Sequence, residues 1–116
     1  MSAVDLSYRD EVVSVLRGLH SISELSSTRL GIAGSVARGI ANKRSDIDVV
    51  VDTDDLSLSS IDLIKGAFAG RVVDVLCLGL LEQEDLELDS LMLSMGLPIN
   101  DDSVYKTVVR EVFWVD

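Results

Sequence analysis

The segment Ser45-Asp46-Ile47-Asp48-Val49-Val50-Val51 constrains the fold of this chain more than any other. Its β-branched run is bounded by Asn42-Lys43-Arg44-Ser45 before and Asp52-Thr53-Asp54-Asp55 after, which predicts a strand. Side chains alternate along a strand at roughly 3.3 Å per residue, so Asp46 and Asp48 share one face with Cα atoms about 7 Å apart. Two carboxylates so placed repel unless one is protonated or a cation lies between them. Hard divalent ions such as Mg²⁺ take oxygen ligands of this type, completing their shell with water and substrate phosphates.

The rest of the chain alternates helical and extended patterns. Val12, Val15, Leu16, Leu19 and Ile22 recur at spacings of three and four, predicting a first helix within residues 5–25. Residues 28–34 give a first strand with Leu30 and Ile32 on one face, followed by a turn opening a brief helix through "VARGI". Leu58, Ile61, Ile64 and Phe68 predict a helix after the aspartate strand, with Gly70 as its cap. "RVVDVLCLG" is a third strand. A fourth helix is expected over "EQEDLELDSLMLSMG", with acids in its first turn and Gly96 past its end. Beyond Pro98, acidic cap candidates and Val104, Val108 and Val112 predict a last helix, a terminal strand being the alternative. The expectation is one α/β (α+β) domain over residues 1–116, a small mixed sheet of three to four strands flanked by helices.

Bulk properties narrow the function. At 116 residues and 47% hydrophobic content the chain can form one real core. No apolar run reaches the roughly 20 residues that span a bilayer, and "MSAVDLSYRDE" lacks the layout of a signal peptide, so the expectation is a soluble cytoplasmic protein with no membrane contact. Cys77 is the single cysteine, which excludes a disulfide framework; it reads as a small buried apolar residue. A net charge of −10 argues against direct stable binding of nucleic acid and suits a cation or a basic protein partner. A homo-oligomer is compatible with the sequence.

Asp74, in the middle of "RVVDVLCL", is the third candidate acid. A charge in an apolar strand is costly unless it has a partner or emerges at an accessible site. On a strand next to the Asp46 and Asp48 pair, it would complete a set of three acids suited to two-metal catalysis. Upstream, Gly34 and Ser35 have the makings of a phosphate site: close backbone approach, free N–H groups at a helix start and a hydroxyl donor.

"GSVARGIANKRSDIDVVV" followed by "VVDVL" resembles the minimal nucleotidyltransferases of the DNA polymerase β superfamily, at Gly34, Ser35, Gly39, Ser45, Asp46, Asp48 and Asp74. The "GSxARG" form is similar to the antitoxin branch of MNT–HEPN toxin–antitoxin pairs. The resemblance implies a nucleotidyltransferase fold, Mg²⁺ as cofactor with ATP as co-substrate, and transfer of AMP to a hydroxyl. For the antitoxin branch it implies that this hydroxyl is a tyrosine of the partner HEPN toxin. It makes Asp46 and Asp48 metal ligands, Asp74 the third ligand and base, and Gly34 and Ser35 the holders of the terminal phosphates, with Gly39 and Ser45 belonging to the same nucleotide-binding motif. Arg38 suits either phosphate or a nearby carboxylate. A non-catalytic antitoxin acting by contact and transfer to a small-molecule acceptor are the alternatives. Lys43, Arg44, Asp52, Asp54 and Asp55 read as solvated loop charges and His20 as a surface residue, while Phe113 and Trp114 read as core, with a partner-facing aromatic patch as the alternative.

Overall fold

A computed structural model of the chain describes residues 7–42, 44–68 and 70–115. Lys43 lies outside them. The elements run α1 (Ser7–Leu19), β1 (Leu30–Ala33), α2 (Gly34–Ala37), β2 (Ile47–Val51), α3 (Leu58–Gly66), β3 (Val73–Cys77), α4 (Leu78–Ser94), α5 (Val104–Glu111) and β4 (Phe113–Val115). The four strands form one mixed sheet in the order β3-β2-β1-β4. β2 pairs parallel with β3, while β1 pairs antiparallel with both β2 and β4.

Alternation along the strands separates two apolar layers. Leu30, Ile32, Ile47, Val49, Val51 and Val73 join Val12, Leu16 and Leu19 of α1 and Ile64 of α3 in the larger one. Ala33 and Val50 join Val108 of α5 in the smaller, with Leu76, Leu81, Val112 and Trp114 packed around them. Val49, Val50 and Val51 are fully buried, which is why β2 carries a continuous apolar run. Burying each such side chain stabilises the fold by about 1.5–3 kcal/mol. Asp48 and Asp74 occupy the parity that faces the smaller layer.

Several boundaries differ from the sequence reading. α3 ends at Gly66 with Ala67 as its C-cap, short of Phe68 and of the expected cap Gly70. α1 ends at Leu19, and residues 20–28 continue as successive tight turns, with the N–H groups of His20, Ser21, Ile22, Leu25 and Thr28 each donating three residues back. His20 is half-buried there, its Nε2 3.1 Å from the Thr28 carbonyl. α4 begins directly at the end of β3, so Glu82 falls beyond the first turn. Just past that junction Gly79 lies hard against Asp54, whose Cα would stand 2.6 Å from a Cβ at that position, so a side chain there has no room. The last segment is both helix and strand, and Ser103 caps α5 by accepting from the Lys106 N–H at 3.2 Å, while Asp101 and Asp102 are exposed. Cys77 is half-buried, its thiol donating to the Thr53 carbonyl at 2.9 Å. Among the described residues no helix is long and apolar enough to cross a membrane.

Candidate active site

β2 and β3 run parallel with Asp48 and Asp74 as register partners, so the two carboxylates stand side by side on one face of the sheet. Asp46 lies one residue ahead of β2 and is exposed, as is Asp74; Asp48 is half-buried. Asp48 feels the other two acids. The Asp48 carboxyl is pushed above its usual range, first by burial, then by the charges of Asp74 and Asp46 and a hydrogen bond with Asp74, with Arg38 acting in the opposite sense. The position of Asp74 explains why an acid interrupts an apolar strand: β3 emerges here at an accessible site.

β1 delivers the other wall. Ala33 pairs with Asp48, and the chain turns at once into α2. Gly34 makes this possible in two ways. Its φ of +66° is left-handed, and a Cβ there would collide with Oδ2 of Asp48. Ser35 follows in the first turn of α2, and Gly39, at φ +74°, ends the motif. The Ile40 N–H donates to the Ser35 carbonyl at 3.1 Å, closing the loop.

Ser45 shapes the approach to Asp46. Its Oγ accepts from the Asn42 N–H at 3.1 Å and its own N–H donates to the Asn42 carbonyl at 3.0 Å. Arg71 then spans to this loop from the start of β3, donating to the carbonyls of Ser45 at 2.8 Å and Asn42 at 3.3 Å. Arg38 points to a carboxylate: its Nη1 lies 3.2 Å from Oε2 of Glu111. Arg44, Asp52, Asp54 and Asp55 are exposed.

Beside the acids, a cleft of about 390 Å³ is lined by Gly34, Arg38, Asp48 and Leu76 on one side and by Val104, Thr107, Val108 and Glu111 of α5 on the other. The α5 wall has no counterpart in the sequence reading. Its helical period is legible, but the helix reaches the site only through packing against the smaller apolar layer.

Residues 14–106 match the family described as Nucleotidyltransferase domain. The chain belongs to that family. The match takes in every candidate site residue and supports the superfamily inferred from the Gly-Ser and Ser-Asp-Ile-Asp motifs, and the mixed sheet flanked by helices is the nucleotidyltransferase fold. No curated protein and no solved structure matches the chain.

Nucleotidyltransferases of this kind usually employ a divalent metal, and the residues present can be tested for it. Among the described residues no three acidic, histidine or cysteine side chains close into a complete ligand set. The fit is of a different kind. Asp48 and Asp74 are held as a like-charged pair whose repulsion a cation would relieve, and the Gly34 backbone leaves the Asp48 carboxylate uncovered by any side chain at that point. Such an open pair suits an ion that keeps waters and takes its remaining oxygens from a triphosphate.

Proposed function

We propose that this nucleotidyltransferase domain, taken as a single domain over residues 1–116, transfers AMP from ATP to a hydroxyl with Mg²⁺ as cofactor, and that the acceptor is a tyrosine of a HEPN toxin partner in the cytoplasm. The observation that carries the reading is the placement of Asp48 and Asp74 as register partners on parallel strands beside the positive-φ Gly34. In the reaction the acceptor oxygen forms a bond to the α-phosphorus, the bond from that phosphorus to the bridging oxygen breaks, and pyrophosphate leaves with the electron pair. Asp46, Asp48 and Asp74 would hold the metal, which when bound neutralises phosphate charge and favours ionisation of the acceptor hydroxyl.

The chain's own groups do the rest. Asp74 is exposed and can take the acceptor proton and pass it to solvent. Gly34 and Ser35 present backbone N–H groups and a hydroxyl to the terminal phosphates. Gly39 and Ser45 shape the loops on either side of that site, and Arg38, paired with Glu111 at the cleft wall, can exchange that carboxylate for phosphate oxygens when nucleotide enters.

The test mixes the chain, the candidate HEPN partner and Mg-ATP, and follows the partner's intact mass and ribonuclease activity. AMP addition with loss of ribonuclease activity is expected. Asp74→Asn should keep nucleotide binding and lose about a hundredfold or more in transfer, the range of a lost acid–base group. Inhibition that persists without ATP, with no mass change, would leave an antitoxin acting by contact. AMP found on a small alcohol instead would reassign the acceptor.

A further inference from the structure

Between α4 and the start of α5 runs a second concavity of about 330 Å³. Leu81, Leu88, Val104 and Tyr105 give it apolar walls, Glu84 stands at its edge, and Asp85 lines it from within. Asp85 is only 6% exposed. Its Oδ2 lies 3.7 Å from Lys106 Nζ, but Oδ1 is buried with no hydrogen-bond partner among the described residues. Lys106 is already committed, holding both oxygens of Asp89 at 3.1 and 3.0 Å and the Asn100 carbonyl at 2.9 Å. A buried acceptor left unsatisfied is costly, more so when charged, and a cation entering the groove would remove that cost.

The helix bearing Asp85 is turned inside out. Its acids Asp85 and Asp89 face α5, whereas Leu88 (40% exposed), Leu91 (55%) and Met95 (61%) form an outward stripe at spacings of three and four. Between Arg71 and Lys106 the sequence contains no cationic side chain, and Glu82, Glu84 and Glu87 fringe the stripe. The field at this end of the molecule is negative enough to help burial push the Tyr105 hydroxyl up, through Glu82, Asp85 and Asp52.

We propose that this groove docks a helix of a partner protein, which inserts an arginine or lysine head against Asp85 and lays its apolar side on Leu88, Leu91 and Met95. The aliphatic stem of such a side chain matches the apolar walls, and its head matches the unpaired carboxylate oxygen. Charge selects this occupant over a second copy of the chain, which would bring Glu84 and Glu87 against a surface of the same sign. The groove shares Asp102 and Val104 with the cleft beside Asp48, so a partner seated there stands next to the transfer site. The docking itself needs neither nucleotide nor the catalytic acids.

The experiment measures binding, without nucleotide, of a labelled amphipathic helical peptide of leucine and lysine and of its twin with every lysine replaced by glutamine. The lysine peptide should bind at least about tenfold more tightly than the twin, the equivalent of one good charge-assisted contact. Leu88→Gln should weaken both, Asp85→Asn only the lysine peptide, and Asp48→Asn neither. Equal affinity of the twin peptides for the unaltered protein overturns the proposal, and that comparison stands whether or not Asp85→Asn folds. Sedimentation as a dimer that Leu88→Gln dissociates would also overturn it, in favour of a second copy. Because Asp48→Asn reports separately, failure of docking and failure of transfer give different results.

Discussion

Gly34 and Asp48 are in contact, and each limits what the other can be. Gly34→Ala would strain a left-handed residue by about 1–2 kcal/mol and push its methyl group into the Asp48 carboxylate. Loss of about that much stability in urea unfolding is expected, with at least about tenfold weaker Mg-ATP binding by calorimetry. Unchanged ATP affinity would show that the carboxylate is not held there by the glycine. Asp48 also sets a pH dependence. Its carboxyl is raised in the folded state, so between the ordinary carboxylate range and its folded value the native protein binds more protons than the unfolded chain. Its contribution to stability therefore falls as pH rises through that window, and the penalty is complete above it. Asp48→Asn should remove this slope, making the variant more stable than the parent at neutral pH and closing the difference towards pH 4. Mg²⁺ with ATP should raise the thermal midpoint of the parent and not of Asp48→Asn. Most of the site was legible in the sequence because the causes are local: the β-branched run puts Asp48 on a strand and a lone acid in an apolar run marks Asp74, whereas Asp46, expected on the same strand, stands one residue ahead of it. The partner of Arg38 was not, since Glu111 lies on a helix far away in sequence.

Elements repeat that division between local and distant causes. Strands β1, β2 and β3 follow from residue pattern, and β2 and β3 are neighbours as expected, though not for the expected reason: Asp74 is exposed, so no buried charge had to be compensated. The end of α1 did not follow from pattern, because Ile22 and Leu25 keep a helical spacing while the backbone is already in turns. Nor did the position of α5 over the cleft, which depends on Val108 finding Ala33 and Val50 across the sheet. The loop leading into β2 offers a test at this scale. Arg71 stacks over the Tyr8 ring at 5.0 Å and donates to the carbonyls of Asn42 and Ser45, tying α1, the loop and β3 together ahead of Asp46. Arg71→Ala should cost only about 1 kcal/mol in unfolding, since these bonds are partly exposed. The same variant should weaken Mg-ATP binding about tenfold, because Asp46 loses its fixed approach. An equal loss of stability and no change in nucleotide affinity would confine Arg71 to a structural role.

Across the whole molecule the two faces of the sheet are unequal. α1 and α3 seal one face with Leu16, Ile64 and the odd-numbered positions of β2, all fully or almost fully buried. The other carries the carboxylates and cleft, and α4 extends from it, packing chiefly on α5 and β3. Carboxylates that are to meet a nucleotide need an open face, and a helix rooted mainly at its start has little to hold its far end. Leu86, Leu91, Leu93 and Met95, each more than half exposed, contribute almost nothing to the core despite their apolar character. Local opening follows the distribution of buried contacts, so amides should exchange hydrogen in a steep gradient across the chain. Hydrogen–deuterium exchange should find β2 slowest and the last two turns of α4 at least about a hundredfold faster, a gap of roughly 3 kcal/mol in opening free energy. Bound to a partner through Asp85 and Leu88, those turns should slow while β2 stays unchanged, because docking stabilises only what it touches. Uniform protection of α4 in the free chain would mean that the leucine stripe is already covered in solution, and sedimentation of the same sample would tell whether a second copy covers it.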